Sequence, residues 1–128
     1  MTMIKDLHDF HTKYEFNKEP MTIDKLLFRH DLLSEEMGEL MTAISQRNAE
    51  ETVDALIDLI YIAVGTLDLL QVDTQKAWDQ VQQANMTKIR GVKPGREQSG
   101  GFDVIKPADW KAPSHVGNHG ILEKIYGE

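Results

Sequence analysis

One stretch decides the fold, VDALIDLIYIAVGTLDLL at residues 53–70. It is apolar around nearly the whole circumference of a helix, and a helix of this composition is buried on most of its sides. In a chain of only 128 residues, the remaining helices do not supply that much cover. The stretch therefore predicts an assembly, a homodimer or a homotetramer. The alternative is that it forms the central helix of a monomeric bundle.

The residues around this stretch predict three further helices, because apolar side chains recur at spacings of three and four. Thr22 and Asp73 are predicted N-caps, and Asn48 with Glu51 resembles a capping box. No segment alternates apolar and polar residues with a period of two, so we expect no strand. Short connections favour antiparallel neighbours. The prediction is an all-α, four-helix bundle with helices at about 2–16, 22–47, 48–70 and 73–89.

Glycine and proline divide the chain near Gly91. Seven of the nine glycines and three of the four prolines lie from that residue onward, which is typical of irregular, turn-rich structure. We therefore expect a helical catalytic bundle at residues 1–90. An irregular tail at 91–128 is expected to pack on the bundle or on a neighbouring subunit. Within the bundle, the side chains of Phe28 and Trp78 are expected in the core.

The overall composition excludes several classes of protein. A net charge of −7 makes the chain a poor candidate for binding duplex nucleic acid, since that affinity rests on neutralising phosphates. No apolar run approaches the roughly 20 residues that span a bilayer. The chain has no cysteine, and its first residues, MTMIKDLHDF, do not resemble a signal peptide. We expect a soluble, cytoplasmic protein that does not associate with a membrane.

Two sets of acids stand out on adjacent predicted helices, Glu36 and Glu39 on the second, and Asp54 and Asp58 on the third. Each pair lies about one turn apart, so antiparallel packing would bring all four together. Two carboxylates at about 5 Å repel each other by roughly 3 kcal/mol at an effective dielectric constant near 20. A bound divalent cation would offset this repulsion, and carboxylate oxygens suit Mg²⁺, Mn²⁺ or Ca²⁺ better than zinc. The alternative is that these acids only form solvated helix faces.

Together, EEMGEL (35–40), residues 53–70 and VDTQKAWDQVQQANMTKIRG (72–91) resemble the all-α nucleoside triphosphate pyrophosphohydrolases. This superfamily includes MazG-type enzymes, and the small phosphoribosyl-ATP-pyrophosphohydrolase-like proteins are the most similar. The tail segment GFDVIKPADWKAP (101–113) also resembles theirs. The resemblance covers roughly residues 22–113. It implies a MazG-like bundle that uses Mg²⁺ to cleave a nucleotide between its α- and β-phosphates, releasing pyrophosphate.

The resemblance also implies a ligand set, because the family binds magnesium through Glu-x-x-Glu on one helix and Glu-x-x-Asp on the next. Glu36 and Glu39 match the first motif. If Asp58 is the family's aspartate, the position three residues earlier is an alanine, and Asp54 substitutes for the glutamate. The competing frame is Glu51 with Asp54. We prefer Asp54 and Asp58, because Glu51 has a capping alternative.

The remaining site residues are an acid and three candidate substrate contacts. Glu35, or another of these acids, is predicted to orient or deprotonate the attacking water. Residues 86–112 carry a net charge of +3, so the rest of the chain carries −10. Lys88 and Arg90, at the predicted end of the fourth helix, are expected to hold phosphates, although a flexible, solvated tail would look the same. Asn85 is a candidate hydrogen-bonding contact by the resemblance.

The base and the sugar of the substrate stay open, and phosphoribosyl-ATP is among the candidates. Two other classes of function also stay open. One is a non-catalytic helical oligomer whose acids are structural. The other is a nucleotide- or metal-binding module that has the fold without hydrolysis.

Overall fold

The computed structural model describes residues 2–127 and is mostly helical, which confirms the all-α prediction. Four long helices are followed by a hairpin of two short strands and a last short helix. A 3-10 turn at Glu97–Ser99 lies between the two strands. The elements are α1 (Thr2–Lys13), α2 (Ile23–Ser45), α3 (Ala49–Leu69), α4 (Thr74–Asn85), β1 (Ile89–Arg90), β2 (Val104–Ile105) and α5 (Leu122–Ile125).

The predicted helix starts are confirmed by their capping hydrogen bonds. In each case the side-chain oxygen of the cap accepts the backbone N–H three residues later, which satisfies one of the free donors at a helix start. The pairs are Thr22 with Lys25, Asn48 with Glu51, and Asp73 with Lys76.

The end of the fourth helix and the absence of strands were predicted wrongly. The helix ends at Asn85 instead of about residue 89, and the chain then enters β1. Ile89 pairs with Ile105 and Arg90 with Val104 in an antiparallel ladder. Strands of two residues are too short to show an alternating pattern. They form because a distant segment supplies the partner, and a local pattern does not contain that information.

Helix α3 lies against α2 and α1 and makes few contacts with α4. Arg29, near the start of α2, donates hydrogen bonds to the carbonyl of Ile62 and the hydroxyl of Thr66, near the end of α3. This register makes α2 and α3 antiparallel, as predicted. On the other side, the buried His11 of α1 lies with its Nδ1 2.6 Å from Oδ2 of Asp68.

The buried apolar core of a single chain is small. Phe28 and Trp78, which we expected in the core, are 60% and 55% exposed. That expectation was wrong for one chain taken alone. Among the described residues, no helix is both long and apolar enough to cross a membrane. The residues that form the buried apolar core are Leu7, Met21, Ala43, Ala55, Leu70 and Ala84.

The tail contacts its own bundle at α4 and at the turn between α3 and α4. The indole N–H of Trp110 donates to the carbonyl of Ala84 at 2.8 Å. The side chain of Asn118 both accepts from the backbone N–H of Asp73 and donates to its carbonyl. The boundary at residue 90 stays a prediction, and β1 lies directly before it.

Gly120 is predicted to be essential for this docking. It has a φ of +56°, and a Cβ atom there would overlap the carbonyl oxygen of Leu70. The same carbonyl accepts the backbone N–H of Ile121 at 2.9 Å. Gly120→Ala should therefore lower the free energy of unfolding by more than the roughly 1–2 kcal/mol that a left-handed conformation costs an alanine. Thermal or urea unfolding measures this.

The matched control is Gly117→Ala. Gly117 has a φ of +79°, but nothing lies within 4 Å of the Cβ position. The free energy of unfolding of this variant should fall only by the cost of a left-handed alanine, roughly 1–2 kcal/mol. Equal losses for the two variants would contradict the predicted overlap with Leu70.

Candidate active site

An open groove of about 730 Å³ lies between α2 and α3, and acids from both helices line it. The two helices reverse direction within three residues, Gln46 to Asn48, so their adjoining ends form one wall. Gly38 belongs to the lining, and nothing lies within 4 Å of its Cβ position, so the groove is open at that point. The acids of the lining are Glu35, Glu39, Glu51 and Asp54.

Glu36 and Asp58 form a more enclosed pair next to this groove. Both side chains are partly buried, and the oxygen Oε2 of Glu36 is buried with no hydrogen-bond partner among the described residues. Burial, the neighbouring Glu39 carboxylate, and then the charges of Asp58 and Glu35 raise the pKa of Glu36 to about 7. Burial first, and then the carboxylates of Asp54 and Glu39, raise the pKa of Asp58. The two helices therefore hold like charges close together.

The structure thus brings together the five predicted acids, Glu35, Glu36, Glu39, Asp54 and Asp58. Across residues 2–127, however, no three or more histidine or carboxylate side chains converge closely enough to hold a metal ion as they stand. The donors nevertheless fit a hard divalent cation. They are all oxygens, they repel one another, and one buried oxygen lacks a partner. Their roles as ligands stay predictions.

The predicted capping box at Asn48 and Glu51 forms only in its first half, while the preference for Asp54 and Asp58 over Glu51 as ligands stays a prediction. Asn48 accepts the backbone N–H of Glu51, but its own N–H donates to the carbonyl of Ala43 at 2.9 Å. That bond, with the left-handed residue Arg47, is the Schellman motif that ends α2. The N–H that a capping box needs is therefore already used, and the Glu51 carboxylate lines the groove instead.

The predicted substrate contacts lie beyond the acids. Asn85 is exposed at the last position of α4. Lys88 and Arg90 do not end that helix, which corrects the prediction. Lys88 Nζ lies 5.4 Å from the centroid of the Trp110 ring, and Arg90 lies in β1 beside Gly101. A second lysine, Lys106, lies 4.8 Å from the same ring. Their roles in binding phosphate stay predictions.

A second polar cluster, which the sequence analysis missed, joins α1 to α3. Asp68 Oδ1 lies 3.1 Å from Nδ1 of His8, and Oδ2 lies 2.6 Å from Nδ1 of His11. The sequence did contain a signal for this cluster. It was an aspartate within the apolar stretch 53–70, together with a histidine on the apolar stripe of the first helix. Asp68 lies ten residues beyond Asp58, about 15 Å along the helix. The cluster therefore ties the helices together away from the groove.

Comparison with known proteins identifies the family. The family model described as phosphoribosyl-ATP pyrophosphohydrolase matches residues 5–85, which is more than half of the chain. The chain belongs to this family. The predicted resemblance is therefore confirmed, and the family is part of the MazG-like all-α pyrophosphohydrolase superfamily. The activity in the family's description is the hydrolysis of a nucleotide pyrophosphate bond.

The match includes all the groove acids and Asn85, and it ends before Lys88 and Arg90. A curated relative, an uncharacterized protein of Acanthamoeba polyphaga mimivirus, is 38% identical over 50 residues. The aligned part is 39% of this chain and 19% of the viral protein. The chain thus spans about a fifth of the length of the relative that it matches.

The raised pKa of Glu36 predicts a pH-dependent stability when divalent cations are removed. The carboxyl titrates near 4.5 in the unfolded chain and at about 7 in the folded chain. The folded protein therefore binds more protons between these values, so its free energy of unfolding falls as pH rises from about 4.5 to about 7. Thermal midpoints in chelator across this range should fall less steeply for Glu36→Gln, whose amide does not titrate.

The matched control is Glu50→Gln, an exposed acid in the first turn of α3. It should keep the wild-type slope, because Glu50 is not among the groups that raise the pKa of Glu36 or of Asp58. Identical slopes for wild type and Glu36→Gln would contradict the prediction.

Proposed function

We propose that this protein hydrolyses a nucleoside triphosphate, or a closely related nucleotide, between the α- and β-phosphates. The products are a nucleoside monophosphate and pyrophosphate. One observation carries the proposal. In a pyrophosphohydrolase family member, acids from two helices line one groove, and next to it a buried carboxylate oxygen of Glu36 has no hydrogen-bond partner among residues 2–127. Neither a solvated helix face nor a helix cap accounts for such an oxygen.

In this proposal Glu36, Glu39, Asp54 and Asp58 hold Mg²⁺, with Mn²⁺ as a substitute. When bound, the ion neutralises phosphate charge and lowers the pKa of water. Glu35, exposed in the groove, accepts the proton of the attacking water. The water oxygen forms a bond to the α- or the β-phosphorus while the bridging P–O bond breaks. The bridging oxygen leaves with the other phosphorus, as pyrophosphate if the α-phosphorus is attacked and as the nucleoside monophosphate if the β-phosphorus is attacked.

The substrate is anionic, and so is the groove, so other cations are needed to bind it. We propose that Lys88 and Arg90 bind phosphate oxygens and that Asn85 donates a hydrogen bond to the nucleotide. Residues 86–112 carry a net charge of +3 against −10 for the rest of the chain, which supports this assignment. The alternatives are a non-catalytic oligomer and a nucleotide- or metal-binding module, and neither of them releases pyrophosphate.

The activity is tested by pyrophosphate release from a panel of common, deoxy- and modified nucleoside triphosphates and phosphoribosyl-ATP, each with Mg²⁺. We expect turnover of at least one substrate. Glu39→Gln should lower kcat/KM by at least about 100-fold, because even groups that only orient metal ligands contribute up to about that much. Circular dichroism should show that the helices of this variant persist.

The control is again Glu50→Gln, which removes a charge from α3 outside the groove and should keep activity within about twofold of wild type. No release across the panel would favour the non-catalytic alternatives. Normal magnesium-dependent turnover by Glu39→Gln would contradict the proposed ligand set.

Magnesium binding is tested separately by the thermal midpoint. A ligand at 100 times its Kd stabilises the folded state by about 2.7 kcal/mol, so we expect a rise of several degrees with Mg²⁺. The rise should be lost in Glu36→Gln and kept in Glu50→Gln. Glu51→Gln decides whether Glu51 is a further ligand beside the four proposed ones, since only the loss of a ligand would weaken the shift. A midpoint that saturating Mg²⁺ leaves unchanged in the wild type would overturn the metal site.

A further inference from the structure

The tail segment at residues 110–121, called the strap, follows α4 from its end back to its start. Hydrogen bonds hold it at both ends of the helix and along its length. The strap is therefore docked on α4, and the side chains at its beginning have a fixed position at the end of that helix. The contact pairs are Trp110 with Ala84, Ser114 with Gln80, Asn118 with Asp73, and Ile121 with Leu70.

The ring of Trp110 lies beside two ammonium groups that come from different segments. Nζ of Lys88, in the link between α4 and β1, lies 5.4 Å from the ring centroid. Nζ of Lys106, directly after β2, lies 4.8 Å from it. Both distances are in the range of a cation–π interaction, and they place the two nitrogens no more than about 10 Å apart. Because the indole N–H is bonded to Ala84, the ring can hold both lysines in place.

The register of the hairpin also places these two lysines opposite each other. Ile89 pairs with Ile105 in the antiparallel ladder of β1 and β2, so the next position in the same register sets Lys88 opposite Lys106. Like charges directly opposite each other on antiparallel strands are destabilising. The fold therefore holds two positive charges where they repel each other.

No carboxylate offsets this repulsion within residues 2–127. The lysines and the arginine that form ion pairs there are Lys5, Lys18, Lys25 and Arg96. The chain has 21 acidic residues, so the missing partner does not reflect a shortage of acids. Lys88 is also partly buried, which makes its charge harder to neutralise with water alone. Two unpaired cations held in this way attract an anion.

We propose that Lys88, Lys106 and the ring of Trp110 form a binding site for a chain of phosphates. The identity of the ligand rests on the proposed function, because a nucleoside triphosphate and pyrophosphate both contain such a chain. Two or more linked phosphates can contact both ammonium groups, and each contact is a charge-assisted hydrogen bond. Lys106 thus binds the ligand together with Lys88, and Trp110 is a positioning residue that acts through the two lysines.

The first experiment is a calorimetric titration of the full chain with inorganic pyrophosphate. A chelator replaces Mg²⁺, so that the candidate metal site is empty. We expect saturable binding, and at least about tenfold weaker binding of orthophosphate. Lys106→Gln should raise the Kd for pyrophosphate at least about tenfold, because a hydrogen bond from a charged donor is lost. Lys106 is exposed, so this variant should fold.

The matched control is Lys111→Gln. Lys111 is exposed and directly follows Trp110 in the chain, but it does not belong to the pair of lysines at the ring. Its loss changes the net charge by the same amount. The Kd for pyrophosphate should stay within about twofold of wild type.

The fluorescence of Trp110 locates the bound pyrophosphate. The chain has two tryptophans, so Trp78→Phe leaves Trp110 as the only one. Its emission should change on titration with the Kd that calorimetry gives, since the ligand contacts the two cations beside this ring. Trp110→Leu should raise that Kd at least about tenfold. Trp110→Phe keeps an aromatic ring and should recover part of the affinity.

Several results would overturn the proposal. They are a wild type that does not bind pyrophosphate, equal losses of affinity in Lys106→Gln and Lys111→Gln, and binding that leaves the emission of Trp110 unchanged. A further one is a Lys106→Gln variant with a lower thermal midpoint and an unchanged Kd, because the lysines would then only stabilise the docked tail.

Kinetics separate the two sources of the phosphate chain and keep the site distinct from the activity. If the substrate occupies the site, Lys106→Gln should raise KM at least about tenfold and leave kcat within about threefold. An unchanged KM with weaker inhibition by pyrophosphate would assign the site to the product. Turnover with an unchanged pyrophosphate Kd in Lys106→Gln would overturn the site and leave the enzyme. Pyrophosphate binding without turnover of any substrate would do the reverse.

Discussion

The repulsion among carboxylates between α2 and α3 is the constraint on which the rest of the structure depends. Glu36 and Asp58 are both held where ionisation is unfavourable, and each is influenced by acids from the opposite helix. Such an arrangement persists only if other contacts hold the two helices together. Arg29 provides some of these contacts, because its guanidinium donates hydrogen bonds to Ile62 and Thr66. Since hydrogen bonds to charged groups contribute roughly 1.5–3 kcal/mol each, they are comparable to the repulsion of one carboxylate pair.

Small residues at this helix contact explain how the acids come so close. Ala43 of α2 and Ala55 of α3 are each only 3% exposed, and a Cβ atom at Gly65 would lie 2.9 Å from the guanidinium of Arg29. Larger side chains at these positions would separate the helices. Helix α3 therefore uses one side for close packing and for the acids, and leaves its opposite, apolar side free. The same helix thus positions the candidate site on one side and, on the other, exposes Val53, Leu56 and Ile60 in the single chain.

Much of this could be predicted from the sequence, because it depends on local patterns. Each cap, at Thr22, Asn48 and Asp73, needs only a side-chain oxygen that accepts a hydrogen bond from the backbone N–H three residues later. The grouping of the acids needs only helical spacing and antiparallel packing. The hairpin of β1 and β2 could not be predicted in this way, because its pairing joins residues 16 positions apart, Ile89 and Ile105.

Two other misses have the same kind of cause. The exposure of Trp78 depends on how sparingly α4 packs on α3, which its own apolar pattern does not indicate. The free carboxylate of Glu51 follows from competition between two motifs for one donor. Asn48 both ends α2 and caps α3. Its backbone N–H completes the Schellman motif, so it does not donate to Glu51 as a capping box requires. Sequence matching recognises each motif separately and does not register that they share an atom.

If Asp58 is the aspartate of the family's second acidic motif, the departure from that motif has a physical reason in this fold. In the resemblance, the family places a glutamate three residues before the aspartate that corresponds to Asp58, and here that position is Ala55. Because Ala55 is buried in the contact with α2, a glutamate side chain would not fit there. Asp54, one residue earlier, lies on the other side of Asp58 at 100° per residue and faces the groove, as Glu51 does. The acid of this helix is thus displaced from the packed contact to the open wall. Asp54 and Glu51 are therefore the acids of α3 that would face a cation held in this groove.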